Sequence, residues 1–113
     1  MRFKPMDYKI VISKDAIHDV ASTKKHILNA FQYREYAENF SSNIKKAIQE
    51  LKIFPKAYKN TGFTIEGLDI YYKPQGTYLI FYVVDNMTVT IIRVLKDRMN
   101  WQSILKRMKK INR

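Results

Sequence analysis

Apolar and polar positions divide this chain into a short opening run, two long helical stripes and three apolar runs split by turn residues. Residues 1–7 read as a lead-in. Tyr8-Lys9-Ile10-Val11-Ile12 predicts a strand over 8–13. Apolar positions Ile17, Val20, Ala21, Ile27, Leu28 and Phe31 then recur at three- and four-residue steps, which predicts a helix near 15–31. Asp15 is its candidate N-cap. Lys24 interrupts the stripe, where its aliphatic stem can lie along apolar surface. A second stripe, Tyr33, Tyr36, Ala37, Phe40, Ile44, Ala47, Ile48 and Leu51, predicts a helix near 33–53, with Pro55 as a breaker beyond it. The polar stretch from Pro55 to Gly67 reads as a loop. β-Branched and aromatic runs predict strands at 68–73, 77–84 and 87–95, punctuated by Pro74-Gln75-Gly76 and Asp85-Asn86. A short helix follows residue 101, near Gln102–Lys109. There are no internal repeats and no low-complexity tract.

Two helices with one apolar stripe each need a sheet to cover. The expected class is α+β, with both N-terminal helices on one face of a small, mainly antiparallel sheet in the order β-α-α-β-β-β, then a short C-terminal helix. Register decides what the other face carries. With Asp85-Asn86 as a two-residue loop, Tyr82 lies opposite Val89, Ile80 opposite Ile91, and Tyr78 opposite Arg93. With Gln75-Gly76 as the other loop, Lys73 lies opposite Tyr78. Asp69, Tyr71, Lys73, Tyr78, Ile80, Tyr82, Val89, Ile91 and Arg93 then share one face. Ile70, Tyr72, Leu79, Phe81, Val83, Thr88, Thr90, Ile92 and Val94 share the other. The second set is greasier and is assigned to the helix-covered core, through Leu79, Phe81 and Ile92. The first is expected to stay open. A three-residue Pro-Gln-Gly loop would instead flip strand 68–73.

Charge changes this picture. The 113 residues carry 21 Lys+Arg against 10 Asp+Glu, a net charge of +11. From residue 93 onward the basic residues are Arg93, Lys96, Arg98, Lys106, Arg107, Lys109, Lys110 and Arg113, against the single acid Asp97. Such a balance points to a polyanion or an acidic partner protein. The length suits one domain over residues 1–113. The absence of cysteine excludes disulfides, thiolate metal sites and a thiol nucleophile. With no long apolar span and no signal-peptide core, the expectation is a soluble, cytoplasmic chain without membrane contact. His18 and His26 do not match the i, i+4 spacing of a helical metal pair, so no metal is expected. There is no glycine-rich phosphate loop. Trp101 reads as an anchor for the C-terminal helix or, alternatively, as an exposed recognition residue. Tyrosines beside Lys73 and Arg93 suit unpaired nucleotides, whose bases stack on rings while cations meet phosphates. The same residue types suit a partner-protein face.

The string "GTYLIFYVVDNMTVTIIRVLKDRMNW" resembles the closing hairpin of the RelE/ParE superfamily of bacterial toxins. "YKIVISKDAIHDV" resembles that family's opening strand and first helix, and "AIQELKIFP" the end of its second. The resemblance runs from about Tyr8 to Leu105. It implies the toxin of a type II toxin–antitoxin pair, held by a cognate antitoxin, without a cofactor. RelE-type members cleave ribosome-bound mRNA with two strand lysines, a groove arginine, and a tail arginine and tyrosine. By position these fall at Asp69, Tyr71, Tyr78, Arg98 and near Ile104, so only Arg98 matches. Lys73, Tyr82, Arg93 and Arg98 are the candidate catalytic residues if that chemistry is retained. ParE-type members, which poison DNA gyrase, lack the nuclease set and often carry an "R-M-D" stretch, which Arg98-Met99-Asn100 resembles. Tyr78 in "T-Y-L-I-F" also looks more like ParE. The reading leans to a ParE-like inhibitor, with an mRNA endonuclease and a non-toxic basic nucleic-acid-binding module as alternatives. Lys73, Tyr78, Arg93, Arg98 and Trp101 are the expected target-binding residues.

Overall fold

Turn chemistry sets the register of the sheet. Asn86 and Met87 both lie at positive φ (48° and 62°), as a type I′ hairpin turn requires. The loop is therefore Asn86-Met87, one residue later than Asp85-Asn86, and Asp85 pairs with Thr88. The computed structural model describes residues 7–31 and 34–113. The expectations for the lead-in up to residue 6, for Tyr33 and for the Phe31 side chain lie outside what it describes.

The elements are β1 (Lys9–Ile12), α1 (Lys14–Phe31), α2 (Arg34–Gln49), two 3-10 turns at Glu50–Lys52 and Pro55–Ala57, β2 (Lys59–Ile65), β3 (Leu68–Gln75), β4 (Tyr78–Asp85), β5 (Thr88–Lys96) and α3 (Trp101–Arg107). The sheet order is β1-β5-β4-β3-β2, with β1 parallel to β5 and the other pairs antiparallel. The α+β class holds, with one strand more than expected. The stretch read as a loop contains β2. Its inward positions Thr61, Phe63 and Ile65 alternate with exposed ones. A bulge between Asn60 and Thr64 interrupts this edge strand. There the Asn60 Oδ1 accepts from Gly62 N (2.8 Å) and the Thr61 Oγ1 accepts from Phe63 N (3.0 Å). These local bonds occupy edge donors and discourage pairing with a second sheet.

The cap of α1 is Ser13, not Asp15. Its Oγ accepts from Ala16 N at 3.1 Å and donates to Ile92 O at 3.2 Å, tying the helix start to β5. Ala16 and Val20 face the core, whereas Ile17 and Leu28 are exposed.

Apart from Val94, the two residue sets were separated correctly, but their faces are exchanged. Tyr78, Ile80, Tyr82, Val89 and Ile91 pack under α1 and α2, with Phe40, Ile44, Ala47, Ile48 and Leu51. Leu79, Phe81, Val83 and Ile92 pack on the opposite face, beneath Leu105 of α3 and Ile111 of the C-terminal tail. Neither face is open. Past a bulge in β5, between the pairs Tyr82–Ile91 and Phe81–Arg93, the alternation slips. Val94 therefore joins the helix face and Leu95 the other. The tyrosines can be buried because their polar ends are satisfied or reach the margin. The Tyr82 hydroxyl donates to Pro55 O, and the Tyr71 and Tyr82 rings stack at 5.8 Å.

The tail crosses the far face as a strap. Ile111 N donates to Glu66 Oε2 at 2.7 Å, Arg113 pairs with the same carboxylate at 2.9 Å, and Lys14 N donates to Asn112 O at 2.8 Å.

Candidate target-binding surface

The register distributes the sequence-predicted site residues among different environments. Lys73 is only 7% exposed, beneath α2. Its ammonium donates to Ala47 O and Glu50 Oε1, both at 2.9 Å, and lies 5.3 Å from the centre of the Tyr58 ring. The Lys73 hydrogen bond holds the Glu50 carboxyl below its ordinary value. Lys73 thus satisfies a carbonyl near the end of α2 rather than facing solvent. Tyr78 is half-buried against Phe40, with ring centres 4.7 Å apart, and burial raises its pKa. Tyr82 is fully buried, and burial pushes its phenol well above the ordinary range. The expected row of Lys73, Tyr78 and Arg93 across three strands does not form. Lys73 pairs with Ile80, Tyr78 with Lys96, and Arg93 with Phe81. Asp69 is exposed on β3, and Tyr71 is half-buried in the helix-side core.

Arg93 lies where β1 has ended, so β5 meets α1 directly. Its Nε and Nη2 donate to the two carboxylate oxygens of Asp19 at 2.7 and 2.8 Å, and Val94 N donates to Asp19 Oδ2 at 2.9 Å. This bidentate contact raises the Arg93 pKa further, against the opposing effect of burial. Asp19 was missed by sequence reading. Its only signal was an acid one turn from the helix start, on the side opposite Ile17 and Ala21.

Around this pair runs a groove of about 470 Å³ between α1 and β5, lined by His18, Ser22, His26, Arg93, Lys96 and Met99 among others. His18, Ser22 and His26 are four residues apart and form one polar stripe along α1. The groove leads to an exposed ledge, Lys96-Asp97-Arg98-Met99-Asn100. Backbone bonds shape the ledge: Asp97 N to Thr77 O at 2.9 Å, Met99 N to Lys96 O at 3.1 Å, and Trp101 N to Met99 O at 2.8 Å. Asn100 Oδ1 then accepts from Ser103 N at 3.3 Å and caps α3. Asn and Asp cap equally well, so Asn100 does here what an aspartate at this position would. Trp101 is half-buried, 5.2 Å from Phe81 and 6.0 Å from Tyr72 ring to ring, and anchors α3 on the far face. Among the described residues, Lys96, Arg98, Lys106 and Arg107 make no ion pair, and all four are exposed. The structure therefore brings Arg93, Lys96 and Arg98 to one margin, leaves Trp101 beside it as a support, and removes Lys73, Tyr78 and Tyr82 to the interior. Among the described residues no cluster of His, Asp or Glu is arranged to hold a metal ion, and no helix is long and apolar enough to cross a membrane.

Residues 10–101 match the family model described as the ParE toxin of the type II toxin–antitoxin system parDE. In fold the chain is similar to one from the chromosomal ParDE toxin–antitoxin system of P. aeruginosa. The TM-score is 0.67 at 12% identity, covering 81% of this chain and 98% of that one. It is also similar to a chain of the RelBE2 toxin–antitoxin complex of Mycobacterium tuberculosis. There the TM-score is 0.53 at 22% identity, covering 84% of this chain and 97% of that one. No curated protein matches it in sequence.

Proposed function

The chain belongs to the ParE toxin family of type II toxin–antitoxin systems, and from that premise we propose that it arrests growth as a ParE-like inhibitor of DNA gyrase, without nuclease chemistry. One observation carries this reading. Of the positions where RNA-cleaving relatives place their lysines, arginines and tyrosine, this chain has Asp69, Tyr71, Tyr78 and Ile104 at four. Of the residues that could substitute, Lys73 spends its ammonium on Ala47 O and Glu50, Tyr82 its hydroxyl on Pro55 O, and Arg93 its guanidinium on Asp19. A general acid or base must reach the proton that it moves, and Tyr82 is fully buried and Lys73 nearly so.

The target contact in this reading is the basic margin of Arg93, Lys96 and Arg98, continued by Lys106 and Arg107 of α3. Lys96, Arg98, Lys106 and Arg107 are exposed there and can meet an acidic protein surface or a phosphate, while Arg93, paired with Asp19, holds the margin in place. A cognate antitoxin, acidic enough to complement a chain of charge +11, holds the protein inactive until it is released. A second reading rests on the groove. His18 and His26 line it with Arg93 and Lys96, and histidine is the side chain best placed to act as an acid or base near neutral pH. That supports a diverged ribosome-dependent mRNA endonuclease. A basic nucleic-acid-binding module without toxicity is a third.

The test is inducible expression in a bacterial host, with mRNA ends mapped after induction. Growth arrest that the neighbouring antitoxin relieves, with mRNA intact, is the expected result. New mRNA ends at ribosomal positions would transfer the reading to the endonuclease. Normal growth with abundant folded protein would leave only the binding module.

A further inference from the structure

At the end of the sheet opposite the basic ledge, three non-glycine residues lie at positive φ, Phe54, Asn86 and Met87, and the two large apolar ones among them are exposed. Phe54 has φ 53° and ψ 53°, directly before Pro55, and is 72% exposed. Met87 has φ 62° in the β4–β5 turn and is 38% exposed. Large side chains rarely adopt this conformation, and a following proline restricts the backbone further. The surroundings enforce it. The buried Tyr82 hydroxyl donates to Pro55 O, Ala57 N donates to Phe54 O at 3.0 Å, and Lys9 N donates to Met87 O at 2.8 Å.

Tyr8, Ile53, Phe54, Pro55, Ala57 and Met87 line a hollow of about 550 Å³ there. Ile53 is also half-exposed. The fold thus accepts backbone strain to display a contiguous apolar patch, and such strain and such patches both mark interaction surfaces.

We propose that this hollow is the docking site of an acidic, amphipathic segment of the cognate antitoxin, with one large apolar side chain as its anchor. This rests on the toxin–antitoxin reading above. Charge selects the occupant. A second copy would set one +11 chain against another. An acidic segment gains from Lys56, which lines the hollow, and from Lys9 and Lys52 beside it, three cations against the two acids Asp7 and Asp85 at this end. Permanent companions cover apolar surface, whereas transient targets are met through charge. The hollow supplies the first kind of contact and the Lys96–Arg98 ledge the second. Nine residues of β5 separate the two, roughly 25 Å. This anchoring segment can therefore sit in the hollow while another part of the antitoxin reaches the ledge.

The experiment uses the co-purified toxin–antitoxin complex with a photo-crosslinking phenylalanine analogue at position 54, and antitoxin affinities of Phe54→Gly and Phe54→Glu. A crosslink to the antitoxin is expected, with both substitutions weakening its binding roughly tenfold or more. Phe54→Gly should melt no lower than the unaltered protein, because glycine adopts this conformation freely. That variant separates a docking role from a folding role. Both substitutions should leave growth arrest intact in the absence of antitoxin. A crosslink within the chain, to a second copy or to lipid, or unchanged antitoxin affinity in both variants, would overturn the inference alone. Failure of the unaltered protein to bind its antitoxin would overturn the reading beneath it as well.

Discussion

Asp19 holds the margin of the proposed target surface in place, and removing it should unfasten that margin measurably. Its carboxylate is 9% exposed and accepts three hydrogen bonds, two from the Arg93 guanidinium and one from Val94 N. Asp19→Ala strands a backbone N–H and a guanidinium whose side chain is 23% exposed. A bond to a charged group contributes about 1.5–3 kcal/mol, and a buried orphaned donor costs about 1–3. Water can reach Arg93 in part, so these contributions do not sum fully, and the expected loss is about 3 kcal/mol. For a domain of this size that lowers the melting midpoint by roughly 10–15 °C. Arg93→Ala leaves Asp19 one of its three partners and should cost about 2 kcal/mol. The pair shares one network, so the double variant should be about 2 kcal/mol less destabilised than the sum of the singles. Urea denaturation of the four proteins measures this cycle. Additivity within about 0.5 kcal/mol, or single losses that small, would refute the assignment of Asp19 as the clamp between α1 and β5.

Lys73→Ala should cost about 2–3 kcal/mol in a thermal or urea melt, through a cavity and an unpaired Ala47 carbonyl, while leaving toxicity per folded molecule unchanged. Lost toxicity with an unchanged melt would return Lys73 to the target surface. Arg98→Ala should leave the melt unchanged and relieve growth arrest, since losing one charge-assisted contact weakens target affinity by about ten- to a hundredfold. Glu66 is held below its ordinary carboxylate value, first by the Ile111 N–H and then by Arg113. A depressed carboxylate binds fewer protons in the folded than in the unfolded state. Its stabilising contribution is therefore complete above about pH 4.5 and is lost as the pH falls through the lowered value. Melts of Glu66→Gln between about pH 5 and pH 3 should accordingly vary less with pH than those of the unaltered protein.

Much of this architecture was legible in periodicity. The stripe from Ala37 to Leu51 and the runs from Leu68 to Leu95 specify α2 and β3 to β5, because long segments with one buried face leave a strong pattern. β2 was not read because an edge strand needs few apolar residues, although Thr61, Phe63 and Ile65 alternate and Glu66-Gly67 makes the following turn. The face assignment failed because counting greasy residues cannot choose between two covered faces. Tyr71, Tyr78 and Tyr82 looked like an open stacking surface, yet their rings fill the core. Two local features moved the register. The turn uses Asn86-Met87, where Asn tolerates positive φ and Met is forced to it. The β5 bulge shifts Val94 and Leu95, and nothing in the sequence marks it. The site suffered accordingly. Arg93 and Arg98 keep a place at one margin, while Lys73 became a structural staple and Asp19 entered only with coordinates, since a lone acid on a helix does not reveal its partner.

Inhibition of gyrase through the basic margin, relieved by antitoxin, is open to direct assay. Supercoiling of relaxed plasmid by purified gyrase, titrated with this protein, tests it most directly. Dose-dependent loss of supercoiling is expected, which added antitoxin reverses and Arg98→Ala weakens by about ten- to a hundredfold. Full supercoiling in the presence of excess protein that still arrests growth would contradict it.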